Sequence, residues 1–281
     1  MGKVKPNWLK YTIPGGSEFV EIKKIISSLG LNTVCCEAKC PNVGDCFGRK
    51  TAAFLILGDV CTRNCLYCAV KTGTPTLPNV NEPSNIAQAV FKLKLNYAVI
   101  TSVTRDDLPD GGASHFCETV KQIRNVSPET KIELLIPDFA KSVNTSLDKI
   151  IAVQPNVINH NIEAVKRLFN VLRPNGNYEL SLKILSQIAE KGLTAKSGLM
   201  IGFGEDMDDI LYTLKDLLNA GCSFVTIGQY LQSSKNGYVP QKYYTPDEFK
   251  EIREQALAMG FKNVKADPLV RSSFHAGSEH T

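Results

Sequence analysis

Short apolar runs alternate with helix-length segments along most of the chain, and this alternation constrains the fold more than any other feature. Runs with the length and apolar character of strands begin at Ala52, Tyr97, Lys131, Asn156, Thr194 and Phe224. Strands separated by helices form βαβ units, so the pattern predicts an α/β fold with a parallel sheet. Six units are too few for a closed eight-stranded barrel and favour an open partial (β/α)6 barrel, with a doubly wound sheet as the competing topology.

The same pattern divides the chain into three regions. Residues 1–50 precede the first strand and form an N-terminal extension, residues 51–260 carry the repeats, and residues 261–281 form a C-terminal segment. In either topology the reactive residues are expected on the loops at the carboxyl ends of the strands. Ser84 is predicted to cap the helix that ends near Leu95, and Thr245 to cap the helix over residues 246–259.

Composition excludes several classes of protein. With 43% hydrophobic and 21% charged residues, the 281-residue chain is neither disordered nor fibrous. Its net charge of +4 is too small to indicate a nucleic-acid partner. No apolar run approaches the roughly 18–20 residues that span a bilayer, and the N-terminus lacks the apolar core of a signal peptide. We therefore expect a cytoplasmic protein with neither a nucleic-acid nor a membrane partner.

The chain contains nine cysteines, and all but Cys117 and Cys222 fall between Cys35 and Cys68. A secreted disulfide scaffold is normally a small domain with an even number of cysteines. A long chain with an odd number instead indicates a reducing compartment, where clustered thiolates bind metal or react.

Three cysteines follow the first predicted strand with three and then two residues between them: Cys61, Cys65 and Cys68. Three thiolates can hold a [4Fe–4S] cluster by three irons and leave the fourth iron open. The alternative is a zinc site, which usually takes four protein ligands and would need a distant fourth. The spacing, with Tyr67 before the last cysteine, resembles the signature of the radical S-adenosylmethionine (SAM) superfamily. The resemblance implies that SAM binds the open iron and is cleaved to a 5′-deoxyadenosyl radical.

A second group lies in the N-terminal extension, with four and five residues separating Cys35, Cys40 and Cys46. This spacing suits a second, auxiliary cluster, and Pro41 and Gly44 supply turns around it. The spacing alone does not decide whether Cys35 or the adjacent Cys36 is the ligand.

The two motifs in this order resemble those of the lipoyl synthase family, and further matching segments lie at residues 101–112, 159–163, 196–202, 228–231 and 271–274. The resemblance implies that Cys35 is the auxiliary ligand and that a serine of Arg271-Ser272-Ser273 completes that cluster. We favour Ser273 over Ser272. Phe274 departs from the family, which usually has tyrosine there.

Candidate SAM-binding residues follow two of the predicted strands or lie beside the cysteines. The resemblance implies that backbone groups of an Asp-Gly-Gly turn contact the SAM amino group and that polar side chains further on bind its ribose and carboxylate. The set is Tyr67, Asp110, Gly111, Gly112, Asn159, Asn161, Glu163 and Arg173. No side chain is expected to act as acid or base, because radical hydrogen abstraction from an unactivated carbon needs no base.

The resemblance implies a radical SAM enzyme that inserts two sulfur atoms at C6 and C8 of a protein-bound octanoyl-lysine. Its cofactors would be two [4Fe–4S] clusters and SAM. Its partners would be octanoylated carrier domains, of the 2-oxoacid dehydrogenase E2 or glycine cleavage H protein type, and an electron donor such as ferredoxin or flavodoxin. The alternatives are a biotin synthase-like or methylthiotransferase-like enzyme, or a zinc-stabilised binding module.

Overall fold

A computed structural model of the chain describes residues 6–10, 15–38, 40–48, 52–233 and 237–274. These residues fall into two compact units. The N-terminal unit contains the described residues from 15 to 63 and from 70 to 158. The C-terminal unit contains residues 6–10 and 64–69 and the described residues from 159 to 274.

The N-terminal unit alternates strands and helices after a short helical start. Its helices are α1 (Ser17–Ser28), α2 (Val34–Glu37), α3 (Val43–Gly48), α4 (Glu82–Leu93), α5 (Ala113–Val126) and α6 (Val143–Ala152). Its strands are β1 (Asn32–Thr33), β2 (Ala53–Ile56), β3 (Val60–Cys61), β4 (Lys71–Thr72), β5 (Tyr97–Ser102) and β6 (Lys131–Leu135). A further strand, β7 (Val157–Asn159), lies where this unit gives way to the next along the chain.

Strands β2, β5 and β6 pair side by side and run parallel, while β1 joins β2 antiparallel. The register places Ala53 opposite Val99 and Tyr97 opposite Lys131. Strand β5 is buried continuously from Ala98 to Ile100, as expected of a parallel strand covered on both faces. The two-residue strands β3 and β4 pair with each other, so that Cys61 lies opposite Thr72.

The C-terminal unit repeats the alternation with helices α7 (Lys166–Leu172), α8 (Tyr178–Glu190), α9 (Met207–Asn219) and α10 (Pro246–Met259) and strands β8 (Ala195–Ile201), β9 (Phe224–Gln229) and β10 (Asn263–Ala266). Strand β9 lies between β8 and β10 and is parallel to both. The amphipathic helices bury one apolar stripe each, as in α9 with Ile210, Leu214 and Leu217.

All six predicted strands are present, each beginning within one residue of the predicted position. The α/β class with parallel strands is thus confirmed. Strand β10 was not predicted, because its sequence Asn-Val-Lys-Ala carries no apolar run and only Val264 is buried. Among the described residues, no helix is both long enough and apolar enough to cross a membrane.

The start of α4 corrects one expectation from the sequence. Ser84 has the character of an N-cap, but the helix begins at Glu82 after Asn81, and the Ser84 hydroxyl donates back to the Asn81 carbonyl at 2.9 Å. Pro83 in the first turn permits the earlier start, because its missing N–H is not needed there. The predicted cap of α10 is confirmed.

That cap of α10 is reciprocal, a capping box. The Thr245 Oγ1 accepts from the Glu248 N–H at 3.3 Å, and the Glu248 carboxylate accepts from the Thr245 N–H at 2.7 Å.

We expect Thr245→Ala to lower the free energy of unfolding by about 1 kcal/mol, because it removes the cap of α10. The matched control is Ser84→Ala, which removes a hydroxyl from inside a helical turn and should change stability by less than about 0.5 kcal/mol. Urea unfolding followed by circular dichroism measures both. Equal losses in the two variants would contradict the assignment of the caps.

Candidate functional site

The first cysteine group lies on the two short helices of the N-terminal unit. Cys35 and Cys36 share α2, but Cys35 is buried whereas Cys36 is exposed. Burial raises the pKa of the Cys35 thiol to about 12, and the neighbouring Cys40 and Cys36 add to the shift. The Cys40 N–H donates to the Cys35 carbonyl at 3.0 Å, and Cys46 is buried on α3. The structure thus distinguishes the two adjacent thiols by burial, and the choice of Cys35 as the cluster ligand stays a prediction.

The second cysteine group is divided between the units. Cys61 ends β3 in the N-terminal unit, whereas Cys65 and Cys68 lie in segment 64–69, which belongs to the C-terminal unit. Cys61 and Cys65 are partly exposed and Cys68 is exposed. The Cys68 N–H donates to the Cys65 carbonyl at 3.1 Å, which curls the segment between these two thiols.

Backbone hydrogen bonds hold segment 64–69 within the C-terminal unit. The Leu66 N–H donates to the Leu172 carbonyl at 2.9 Å, and the Leu66 carbonyl accepts from the Tyr238 N–H at 3.1 Å. Cys65 and Cys68 are therefore presented from a fixed backbone.

None of the nine cysteines takes part in a disulfide. Within the residues that the structure describes, no three His, Cys, Asp or Glu side chains converge as the ligands of a single metal ion. The two predicted cluster sites consequently rest on cysteine spacing and on the soft donor chemistry of thiolates, which suits iron–sulfur clusters.

A buried arginine anchors the loop that carries Cys61. The side chain of Arg63 is only 4% exposed and makes paired hydrogen bonds to two carboxylates. Its Nε and Nη2 donate to Asp106 at 2.8 and 2.9 Å, and its Nη2 donates also to Asp138 at 2.7 Å. Burial by itself lowers the pKa of the Arg63 guanidinium, but the two carboxylates outweigh it and raise that pKa above its usual range. The Arg63 N–H also donates to the Cys61 Sγ at 3.4 Å, so this ion-pair network adjoins the cysteine.

The Asp-Gly-Gly turn that precedes α5 is closed by its own side chain. The Asp110 carboxylate accepts from the N–H groups of Gly112 and Ser114 at 3.0 and 2.9 Å and from Lys149 Nζ at 3.2 Å. Burial opposes ionisation, but these donors prevail and lower the pKa of Asp110 to about 2. The structure thus gives the Asp110 side chain a turn-stabilising role, and contact of this turn with SAM stays a prediction.

Both glycines of that turn are required by their surroundings. Gly111 and Gly112 have φ of 59° and 91°, in the left-handed region. A Cβ on Gly112 would lie 2.2 Å from Leu57 Cδ1, and a Cβ on Gly111 would lie 2.9 Å from Phe139 Cδ1. The backbone of the turn therefore packs directly against the ends of neighbouring elements.

Tyr67 joins an aromatic cluster in the C-terminal unit. Its ring lies 6.3 Å from Phe203, which stacks on Tyr230 at 4.4 Å and meets the edge of Tyr238 at 5.7 Å. Withdrawal from water, and then the negative charge of Glu163, raise the pKa of Tyr67 well above its usual value. The predicted Tyr67 is thus placed beside the predicted Glu163.

Four predicted polar residues lie at the end of β7 or after it in the C-terminal unit, and three of them are joined by hydrogen bonds. The side-chain Nδ2 of Asn161 donates to the Glu163 carboxylate at 3.1 Å. The backbone carbonyl of Asn161 accepts from Arg173 Nη1 at 3.2 Å. Burial raises the pKa of Glu163 against the opposing charges of Arg173 and Arg271. The fourth residue, Asn159, is fully buried.

Two backbone features of this region, at Glu163 and at Gly198, shape the site. Glu163 has a left-handed φ of 70° and still pairs its backbone with the end of β8, through Gly198 and Met200. A Cβ on Gly198 would lie 2.6 Å from Asn161 Oδ1, so only glycine fits beside that amide. The sequence signal was present as a glycine inside a strand, which indicates a close approach by another group.

Two protein-family models match the chain. The model of the Radical SAM superfamily matches residues 55–217, and that of the N-terminal domain of lipoyl synthase matches residues 3–40. The chain is 50% identical to a lipoyl synthase of Caldicellulosiruptor bescii over 97% of its own length and 94% of that protein. It is 49% identical to a lipoyl synthase of Chlorobium phaeovibrioides, with 98% and 97% coverage.

Solved structures resemble the fold. Streptococcus suis SuiB superposes with a TM-score of 0.59 at 10% identity, covering 92% of this chain and 56% of SuiB. Methylornithine synthase (PylB) gives a TM-score of 0.51 at 12% identity, with 92% and 80% coverage. Together with the parallel strands, this likeness confirms the predicted open partial barrel of the radical SAM type.

We expect Asp138→Asn to lower the free energy of unfolding by at least about 3 kcal/mol, because it removes one partner of a buried ion pair and leaves the Arg63 charge undercompensated. The control is Asp59→Asn, which breaks the exposed Lys71–Asp59 pair and should leave the unfolding midpoint unchanged. Urea unfolding of the purified protein measures both. A small effect of Asp138→Asn would show that Arg63 does not anchor the loop.

Proposed function

The chain belongs to the lipoyl synthase family of radical SAM enzymes, and we propose that it inserts sulfur at C6 and C8 of a protein-bound octanoyl-lysine to form lipoyl-lysine. Its cofactors are [4Fe–4S] clusters and SAM, and its substrate is a lipoyl carrier. The observation that carries the proposal is the completeness of both cysteine motifs in a chain half identical to lipoyl synthases over nearly its full length. A biotin synthase-like or methylthiotransferase-like enzyme is disfavoured by the match of residues 3–40 to the lipoyl synthase N-terminal domain.

We assign the two clusters to separate sets of ligands. Cys61, Cys65 and Cys68 would hold the cluster that binds SAM, since three thiolates leave one iron open. The auxiliary cluster would be held by four ligands, the sulfur atoms of Cys35, Cys40 and Cys46 and the side-chain oxygen of Ser273. Residues 1–50 and 261–281 would then serve as the extensions that carry the auxiliary ligands, on either side of the barrel in sequence.

The donor sets suit these clusters chemically. Neither set of ligands includes a His or Asp, and thiolates are the usual ligands of iron–sulfur clusters. Bound there, the radical cluster with SAM supplies a hydrogen-abstracting radical, and the auxiliary cluster supplies sulfur. Cysteine binds iron as the thiolate, so loading of the cluster at Cys35 would release the thiol proton.

The polar residues after β7 suit SAM. The Asn161 Oδ1 is buried and accepts no hydrogen bond from the described residues. The same residue is hydrogen-bonded to the Glu163 carboxylate and to Arg173. An acceptor of this kind matches a ribose hydroxyl or the ammonium group of SAM, and the guanidinium of Arg173 matches the carboxylate. Tyr67, Asn159 and the turn Asp110-Gly111-Gly112 complete the proposed contacts.

The aromatic cluster around Tyr67 would keep water from the reacting centre. Phe203 and Tyr230 are buried, and the Tyr230 and Tyr238 hydroxyls are engaged with backbone carbonyls at 2.8 and 3.1 Å. Rings fixed in this way offer an apolar surface. Exclusion of water and of side reactions is a requirement of radical chemistry.

The partners follow from the chemistry of the reaction. We propose octanoylated carrier domains of the 2-oxoacid dehydrogenase E2 or glycine cleavage H protein type as substrates, with ferredoxin or flavodoxin as the electron donor. A cytoplasmic location is proposed as well, because a reducing compartment keeps the cluster cysteines available as thiolates.

We expect the anaerobic protein, given SAM, a reductant and an octanoyl-lysyl peptide, to yield a peptide that has gained two sulfur atoms and lost two hydrogens by mass spectrometry. A peptide that carries unmodified lysine in place of octanoyl-lysine is the control and should remain unchanged. The same preparation should contain iron and sulfide near about eight each per chain, as two four-iron clusters require. A colourless protein that contains one or two zinc ions and forms no product would support the zinc-stabilised binding module instead.

We expect Ser273→Ala to lose product by at least about tenfold, since the auxiliary cluster loses a ligand. Ser273→Cys should retain iron but turn over more slowly, because a thiolate binds iron more firmly than an alkoxide. Product and iron per chain are measured for both variants. Unimpaired turnover by both would contradict the role of Ser273.

A further inference from the structure

The serine that precedes the proposed iron ligand is engaged with a proposed SAM-binding residue. The Asn161 Nδ2 donates to the Ser272 Oγ at 2.7 Å, across 111 positions of sequence and within the C-terminal unit. The same Nδ2 donates to the Glu163 carboxylate at 3.1 Å. One amide group therefore connects the segment after β7 to the turn at residues 271–274.

These two contacts fix which way the amide points. A carboxylate only accepts hydrogen bonds, so the Asn161 atom that faces Glu163 is the NH2 group. The oxygen is thereby turned to the opposite side, where it is buried. Loss of the Ser272 contact would leave the amide with a single longer hydrogen bond and more freedom to rotate.

The backbone of β8 leaves room for this arrangement. A Cβ on Gly198 would lie 2.6 Å from Asn161 Oδ1 and 2.8 Å from Ser272 Oγ. Gly198 is therefore in contact with both partners of the hydrogen bond. The pair and the glycine form a single packed unit.

We propose that Ser272 is a positioning residue that holds the Asn161 amide so that its oxygen accepts a hydrogen bond from SAM. The inference rests on the proposed function, in which Asn161 binds SAM and Ser273 binds iron. The two adjacent serines then have separate tasks: Ser273 completes the auxiliary cluster, and Ser272 orients a residue of the SAM site.

The consequence is a physical connection between two cofactor sites through one turn. The Phe274 N–H donates to the Arg271 carbonyl at 2.9 Å, so the turn that carries both serines is closed by its own backbone. A change in the conformation of this turn would move the Ser272 hydroxyl and release Asn161.

The test compares serine variants of the cluster-loaded enzyme by anaerobic titration calorimetry with SAM and by iron analysis. We expect Ser272→Ala to weaken SAM binding by about tenfold, as for a lost buried hydrogen bond, and to keep the full iron content. Ser272→Thr retains a hydroxyl at a partly exposed position and should bind SAM nearly as the wild type does. Gly198→Ala should weaken SAM binding without any change at the serine, because its methyl group displaces Asn161.

Ser186→Ala is the matched control. It also removes a serine hydroxyl bonded to an amino-acid side chain of the C-terminal unit, the Glu190 carboxylate at 2.9 Å on α8, and should leave SAM affinity unchanged. Wild-type affinity in Ser272→Ala would overturn the inference while leaving the proposed function intact. Loss of iron from Ser272→Ala, with iron retained in Ser273→Ala, would overturn it by making Ser272 the ligand. A wild-type protein that binds iron but no SAM would contradict the proposed function itself.

Discussion

The paired hydrogen bonds of Arg63 with Asp106 and Asp138 are the interaction on which the cysteine loop of the N-terminal unit depends. A guanidinium that is 4% exposed is costly to bury, and only carboxylates in the matching geometry compensate for that cost. Asp106 and Asp138 follow β5 and β6, so the arginine ties the loop after β3 to the loops after two parallel strands. The carboxyl ends of these strands are thus joined by charge where the chain carries Cys61, and the Thr62 N–H adds a hydrogen bond to the Thr104 carbonyl at 3.1 Å.

The C-terminal unit uses a neutral counterpart of the same device. Asn161 reaches Glu163 and Ser272 with one NH2 group, and its backbone carbonyl accepts from Arg173. Glu163 is a local partner, two residues away, whereas Arg173 and Ser272 lie 12 and 111 residues away. The hydrogen bonds of the Asn161 NH2 group therefore determine where the Asn161 Oδ1 points, and Gly198 in β8 provides the space for that oxygen. In both units, therefore, a segment that carries candidate ligand-binding residues is held by side-chain contacts between residues far apart in sequence.

The sequence predicted what depends on local pattern and missed what depends on distant contacts. Strand starts at Tyr97, Lys131 and Phe224 were correct because buried parallel strands are continuous apolar runs. The start of α4 was placed too late because Ser84 and Asn81 are both plausible caps, and only the observed backbone distinguishes them. The Arg63 network spans 43 and 75 positions of sequence, and the Asn161–Ser272 bond spans 111, so no window of the sequence contains either. The choice of Cys35 over Cys36 comes from the family pattern, because spacing alone does not decide between two adjacent cysteines.

Two of the cysteines outside the cluster motifs are engaged with backbone carbonyls. Cys222 is fully buried, its thiol donates to the Phe224 carbonyl at 3.2 Å, and burial raises its pKa to about 12. Cys117 lies on α5 with its thiol directed at the Lys149 carbonyl, and its pKa is raised as well. Both thiols are thus engaged with backbone oxygens, Cys117 from a helix and Cys222 from the loop between α9 and β9. Cys61, Cys65 and Cys68 instead lie in or beside a loop and reach solvent. Burial alone does not distinguish the two roles, because Cys35 and Cys46 are buried as well, so the spacing of the cysteines carries the assignment.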